Sequence, residues 1–389
     1  MVLQTLPKPS HLSRVQCDRL SRLISKRIDE AGGKLGFEAF MHLCLYAPEL
    51  GYYVSGAPKM GESGDFMTAP EISPIFSRCV ARQVTELLVD MKDAVILEVG
   101  AGRGTMAREL LDHFMRCGIE LHSYKILELS PAMREIQWQQ LHQHPYYPSV
   151  EWVDAICEDN FSGVVLANEV LDSFPTNRVH IVGDNVMELC VSLGDGGFTW
   201  GSRPADSSLR EPAISAFHAL DMALPNNYTT EINRLVAPWL ESVLAGLVRG
   251  AVLIFDYGYT RREYFHPQRC DGTLTCFYQH HRVDTPLDRV GLQDLTSHVE
   301  FSSIAEAARR VGADVYGFTT QANFLISTGI EESLTGFDPG SSSFVKRVNE
   351  IKTLTLPGEM GDIVKVMAVG RGLDKPLLGF QNSNMCESL

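Results

Sequence analysis

The chain has 389 residues, 44% of them hydrophobic and 21% charged, which excludes a disordered chain or a small disulfide-stapled scaffold and leaves room for two or three domain-sized units. Thirty-four Lys and Arg against 48 Asp and Glu give a formal net charge of −14, a field that repels a phosphate backbone and argues against nucleic acid as a substrate. The nine cysteines include no C-x-x-C pair and read as reduced thiols of a cytoplasmic protein, and neither an apolar signal core nor a membrane-length apolar run is visible.

Residues 11 to 31 predict a helix, with Leu12, Val15, Leu20, Leu23, Ile24 and Ile28 spaced three to four apart and Gly32-Gly33 stopping it. A second helical stretch, FEAFMHLCLY, runs into a Gly- and Pro-rich loop ending GDFMTAPEIS, and a helix over 73 to 91 follows. The next segments alternate short apolar runs with amphipathic helices: DAVILEVG, helix 105 to 117, YKILELS, a helix around PAMREIQWQQLHQ, a short VEWV, SGVVLANEV, the helix VAPWLESVLAGL and GAVLIFDYG. Branched apolar runs too short for a whole helix are buried parallel strands, so the expectation is an α/β fold with right-handed crossovers. An insertion at about 177 to 235 begins with apolar–polar alternation around Gly-Asp turns, a β-hairpin signal, and a long polar loop spans about 258 to 300. Helix 302 to 311 follows, and FLIS and IVKVMAVGRG are expected to close the sheet. The expected organisation is an N-terminal helical cap over 1 to 92, carrying a Gly-rich lid loop, and a core over 93 to 389.

The sharpest local signal is Glu98-Val-Gly100-Ala-Gly102-Arg-Gly104-Thr105, at the end of a strand and before a helix. Glycines there let the backbone turn tightly and approach a ligand, while the helix start offers unpaired N–H groups. A dinucleotide fingerprint would need glycine where Thr105 stands, so the E-x-G-x-G-x-G spacing favours S-adenosylmethionine over a nicotinamide cofactor. Glu128, at the end of the second strand, can accept hydrogen bonds from ribose hydroxyls, or it can cap the helix opened by Ser130-Pro131. Leu129 and Ser130 are grouped with it, Asn168 is placed at the cofactor end of the third strand, and Asp154 is a weaker adenine candidate. Thr68 and Glu71 form a T-x-x-E capping box. The same segment, with Gly64, Asp65, Thr68 and Pro70, also reads as a lid over the cofactor.

With these residues the chain resembles the MidA family of class I methyltransferase-like proteins. The likeness runs over roughly residues 15 to 372 and rests on GDFMTAPEIS, ILEVGAGRGT, LELSPAMREIQ, LANEVLDSFP, LIFDYGY, GTLTCFYQHHRVD, GLQDLTSHVEF and LPGEMGDIVKVMAVGRGL. The resemblance implies a Rossmann-like core with a mostly parallel seven-stranded sheet and S-adenosylmethionine as cofactor. It also implies a protein substrate, symmetrically dimethylated at arginine on a respiratory complex I subunit in mitochondrial members. The YFHPQRCDGTLTCFYQHH stretch looks proteobacterial, which points to a bacterial cytoplasm.

A guanidinium resists deprotonation, and carboxylates that grip its fork orient one nitrogen and stabilise charge. Asn168-Glu169-Val-Leu-Asp172-Ser-Phe-Pro175 supplies them at a strand's carboxyl end, where open α/β sheets bind ligands. Glu169 is the first candidate and Asp172 the second; their bland reading is as caps of the following turn. His280 falls where the family segment carries its histidine and is a candidate proton shuttle; Asp284, Asp294 and His298 complete that polar loop. Cys270, Cys276, His280 and His281 fit no standard zinc spacing. Two other readings remain: a methyltransferase-shaped assembly factor that binds a partner without turnover, and an insertion that forms a homodimer surface in place of a substrate groove.

Overall fold

The computed structural model describes residues 6–55, 67–156 and 160–389. The chain divides into two compact units, each assembled from three segments: 1–66, 172–236 and 261–298 in the first, and 67–171, 237–260 and 299–389 in the second.

The second unit is built on one mixed sheet. Its strands are β1 (Val95–Val99), β2 (Ser123–Leu127), β3 (Val150–Val153), β4 (Phe161–Asn168), β5 (Leu247–Tyr259), β6 (Asp314–Thr320) and β7 (Val364–Arg371), in the order β6-β7-β5-β4-β1-β2-β3. The five strands from β5 to β3 pair in parallel, β7 runs antiparallel between β5 and β6, and a short strand Val299–Glu300 pairs with the end of β5. Val164–Ala167 and Ala251–Phe255 have no exposed surface, which is why these strands read as unbroken apolar runs instead of alternating ones. Helices α1 (Ala69–Ile72), α2 (Pro74–Leu88), α3 (Thr105–Cys117) and α4 (Pro131–Leu141) supply the crossovers and cover. Phe255 of β5 meets Phe76 of α2 and Phe324 edge-on at 5.4 and 5.0 Å. Helix α2, which the sequence places in the N-terminal cap, therefore packs into the core of the sheet's own unit.

One strand expectation fails. FLIS lies in the helix Gln321–Ser327, and the sheet takes the preceding Asp314–Thr320. Thr320 caps that helix by accepting from Asn323 N, Phe324 and Leu325 are buried, and Ile326 is 49% exposed. Four apolar residues carry too little periodicity to separate the two states.

The first unit holds the helices His11–Glu30 and Phe37–Tyr46 and an antiparallel sheet of Leu35–Gly36, Asn177–Val182, Asn185–Gly194, Gly197–Pro204 and Tyr228–Ile232. The expected hairpin is present: Val182 pairs with Asn185 and Gly194 with Gly197 across tight turns. Leu20, Ile24, Phe37, Phe40, Val191 and Leu295 share its core. The expected long polar loop instead contains a three-stranded antiparallel sheet, Thr275–Tyr278, His281–Val283 and Asp294–Thr296. Cys276, Tyr278, Val283 and Leu295 point into the core, but strands of three or four residues are too short to announce themselves by alternation.

The eight described cysteines are free. Among the described residues, no helix is long and apolar enough to cross a membrane and no His, Cys, Asp and Glu cluster is arranged to hold a metal ion.

Candidate active site

The glycine turn sits where β1 ends and α3 begins. Gly100, Gly102 and Gly104 have φ of +65, +54 and +83°, a region that costs a side chain energy and suits glycine. Gly100 N donates to Leu127 O of β2 at 2.9 Å, and Gly104 N to Ala101 O at 2.8 Å. Gly104 is the N-cap of α3 and brings no side chain to it, so the helix opens with N–H groups not taken by a capping oxygen. Glu98, 1% exposed, accepts from Tyr124 Oη at 2.6 Å. Burial pushes its carboxyl up to about 7, against the lowering effect of that bond.

Glu128 ends β2. Its Oε1 accepts from Ser130 N at 2.9 Å and its Oε2 from Gln137 Nε2 at 3.0 Å; burial raises its pKa and these bonds oppose the rise. Ser130 caps α4 through Met133 N at 3.4 Å, with Pro131 first in the helix. Leu129 is 63% exposed. Asp154 is bound by Arg134 Nη2 at 2.5 Å.

At the end of β4, Glu169 adopts φ +52°, left-handed for a residue with a Cβ. Its N donates to Phe255 O at 2.8 Å, and the next two N–H groups, Val170 and Leu171, both donate to Asp256 Oδ2 at 3.1 and 2.8 Å. Asp256 has no exposed surface and its Oδ1 also accepts from Tyr257 N at 2.9 Å. Glu169 Oε1 accepts from Ala69 N at 2.9 Å and from Asn168 Nδ2 at 3.2 Å. Burial is the main cause that pushes its carboxyl up to about 8, with Asp256 adding repulsion.

Ala69 opens α1 and its N–H goes to Glu169; the expected capping box is not made. Thr68 is the N-cap but its side chain does not bond the helix. Glu71 accepts instead from Thr105 Oγ1 at the start of α3 and lies 3.8 Å from Arg103 Nε. The Thr68–Glu71 segment thus ties Glu169 to the glycine turn, with Thr68 and Pro70 buried beside it. Gly64 and Asp65 lie outside the described residues.

Asp172 and His280 belong to the first unit. Asp172 is 7% exposed and its carbonyl accepts from Ser297 N at 2.9 Å. Around it in the same unit, Tyr46 Oη bonds Ser173 Oγ at 2.9 Å, and Tyr53 Oη donates to the buried Asp294 at 2.8 Å. Burial and then Asp294 hold the Tyr53 phenol well above its usual range. His298 N donates to Thr273 Oγ1 at 3.1 Å. His280 is exposed at φ +61°, next to Gln279 at +47°, at the tip of the two-residue turn joining Tyr278 to its partner His281. Backbone geometry accounts for its place there.

Sequence reasoning missed Asp256, Gln137 and Tyr53. The signal for Asp256 was available: an acidic residue within the apolar run LIFDYG must have buried partners. Gln137 and Tyr53 carry no such mark.

The residues fit S-adenosylmethionine. Asn168 Oδ1 is buried without a hydrogen-bond partner, and a buried acceptor left so is costly unless a ligand donor completes it; the cofactor's amino and hydroxyl groups are such donors. Gly100, which follows the Val99 that pairs with Ala167, is exposed, Gly102 is half-buried, and Glu128 keeps lone pairs for ribose hydroxyls.

Residues 79–319 match a family model described as "Putative S-adenosyl-L-methionine-dependent methyltransferase". The chain is 36% identical to a "likely methyl transferase" from Burkholderia thailandensis whose crystal structure holds S-adenosyl-homocysteine; the two superpose with a TM-score of 0.93 over 99% of this chain and 100% of that one. It is 28% identical to the zebrafish Danio rerio protein arginine methyltransferase NDUFAF7, mitochondrial, over 90% of this chain and 86% of the relative. The corresponding figures for the Caenorhabditis elegans homologue are 25%, 85% and 81%. The chain belongs to the MidA family of S-adenosyl-L-methionine-dependent methyltransferases.

Proposed function

We propose that this methyltransferase acts on protein arginine in the bacterial cytoplasm, with Glu169 as the group that receives the guanidinium. The observation that carries this is the left-handed Glu169 itself. A carboxyl forced into a costly backbone conformation at a strand's carboxyl end, beside Asn168, is where an α/β sheet keeps its chemistry. Relatives bearing the name protein arginine methyltransferase support the choice of acceptor.

In this reading Glu98, Gly100, Gly102, Gly104, Glu128, Leu129, Ser130 and Asn168 hold the cofactor, and Thr68 and Pro70 border it. S-adenosylmethionine, when bound, supplies an electrophilic methyl group on sulfur. The two donors on Glu169 both go to Oε1, which leaves Oε2 to bind a guanidinium nitrogen and orient it. With its carboxyl near 8 before the substrate arrives, Glu169 is mostly protonated at neutral pH; a cation beside it favours the carboxylate, so acceptor binding releases a proton. The nitrogen that gains a methyl loses a proton, and Glu169 is the group placed to hold it. Asp172, three residues on along the chain, is the second acidic candidate. His280, exposed at a turn tip, takes no part in the proposal.

The test is Glu169→Gln in the purified protein. Retained S-adenosylhomocysteine affinity with methyl transfer to protein lowered about a hundredfold or more supports the reading. Transfer at the wild-type rate removes Glu169 from the chemistry.

A further inference from the structure

Helix α4 carries a second set of contacts centred on Gln137, a polar residue with no exposed surface. Its Oε1 accepts from Trp152 Nε1 at 2.8 Å, while its Nε2 donates to Gly102 O at 2.8 Å and Glu128 Oε2 at 3.0 Å. An indole N–H only donates, so Trp152 decides which end of the amide is oxygen; the amino end then meets two acceptors and both of its hydrogens are used. The glycine turn packs on the same side chain, since a Cβ built on Gly104 would lie 3.4 Å from Gln137 Cγ. One turn earlier on α4, Arg134 reaches Glu128 O at 2.8 Å and Val153 O at 3.1 Å. The helix therefore gathers the ends of β1, β2 and β3 through one face.

We propose that Gln137 is the positioning residue of the cofactor's ribose site: it ties the glycine turn to Glu128 and aims that carboxylate before the cofactor arrives. The proposal rests on the reading of Glu98–Gly104 and Glu128 as cofactor residues. Glu128 would otherwise turn about its side-chain torsions, and ordering it on binding would weaken affinity. Held by Ser130 N on one oxygen and Gln137 Nε2 on the other, it still has lone pairs for two ribose hydroxyls. Gln137 touches the turn through a backbone carbonyl and the ribose residue through a carboxylate, so one amide sets the separation of both.

Calorimetric titration with S-adenosylhomocysteine at about pH 6 and about pH 8.5 tests this on Gln137→Glu, which keeps the acceptor for Trp152 but replaces both donors. Other charges near Glu128 are Glu98 on β1 and Arg134 on α4, unchanged in the variant, so the ratio of variant to wild-type affinity isolates position 137. At the lower pH a proton shared by the facing carboxyls replaces the N–H to Glu128 but not the one to Gly102 O, so the variant binds only about threefold weaker. At the higher pH both ionise and repel, and the variant binds about tenfold or more weaker. A loosened fold would weaken binding equally at both pH values, and that result, or wild-type affinity at both, overturns the proposal. Should Gln137→Glu not fold, Trp152→Phe frees the amide to turn over and is expected to bind about threefold to tenfold weaker; unchanged affinity there overturns the proposal as well. Failure of the wild-type protein to bind would remove the cofactor assignment itself, whereas wild-type binding with unaffected variants removes only Gln137.

Discussion

Glu98 and Glu169 are both acids whose carboxyls burial raises, to about 7 and about 8. An acid raised on folding binds protons more tightly in the folded state than in the unfolded one, so between its ordinary value and its folded value stability falls as pH rises. Glu169→Gln removes one such group. Urea midpoints measured from about pH 5 to about pH 9 are expected to show the variant gaining on the wild type steadily up to about pH 8, and a constant difference across that range would show that Glu169 is not raised. The rate of methyl transfer should climb through the same region and level off above it, because the guanidinium of the proposed acceptor needs the carboxylate. At this scale the sequence was readable by residue type: E-x-G-x-G-x-G, the ELS after β2 and the NEVLD after β4 all lie at strand ends. The backbone strain at Glu169 was hidden, because the Asp256 that holds the following N–H groups lies 86 residues beyond Val170.

Elements were legible where they were long and bounded. Five parallel strands follow from branched apolar runs between helices, and Ser130-Pro131 marks the start of α4. The capping box at Thr68 failed because the Glu71 carboxylate is engaged by Thr105 Oγ1 and lies near Arg103 instead of turning back to the Thr68 N–H, and tertiary partners outrank a local pattern when they engage the same side chain. FLIS and the short strands between 275 and 296 failed for want of length. Two element-level tests follow from close approaches. Gly102→Val, at φ +54° in the turn, should lower S-adenosylhomocysteine affinity by about tenfold or more while leaving the circular dichroism spectrum in place; wild-type affinity would detach the turn from the ligand. Gly250 of β5 pairs with Gly163 of β4, and a Cβ there would lie 1.8 Å from Gly163 O. Gly250→Ala should cost about 3 kcal/mol, seen as a lower thermal midpoint, and an unchanged midpoint would mean the strands are not so close.

For the whole molecule, the net charge of −14 sets a field that attracts cationic partners and repels anionic ones, in keeping with an arginine-bearing protein. The α/β class could be read from alternation alone, but the division into units could not. The first unit draws on three separate segments, and what joins them is burial of Leu20, Phe37, Val191 and Leu295 in one core, a long-range fact that no local window contains. Family likeness supplied the cofactor and the activity, and the choice of arginine is the step that needs proof. The most direct measurement incubates the purified protein and tritium-labelled S-adenosylmethionine with lysate of cells lacking its gene, then separates the amino acids of the acid-hydrolysed protein. Label in methylated arginine, absent with Glu169→Gln, is the predicted result; label confined to other residues, or none in protein, would contradict it.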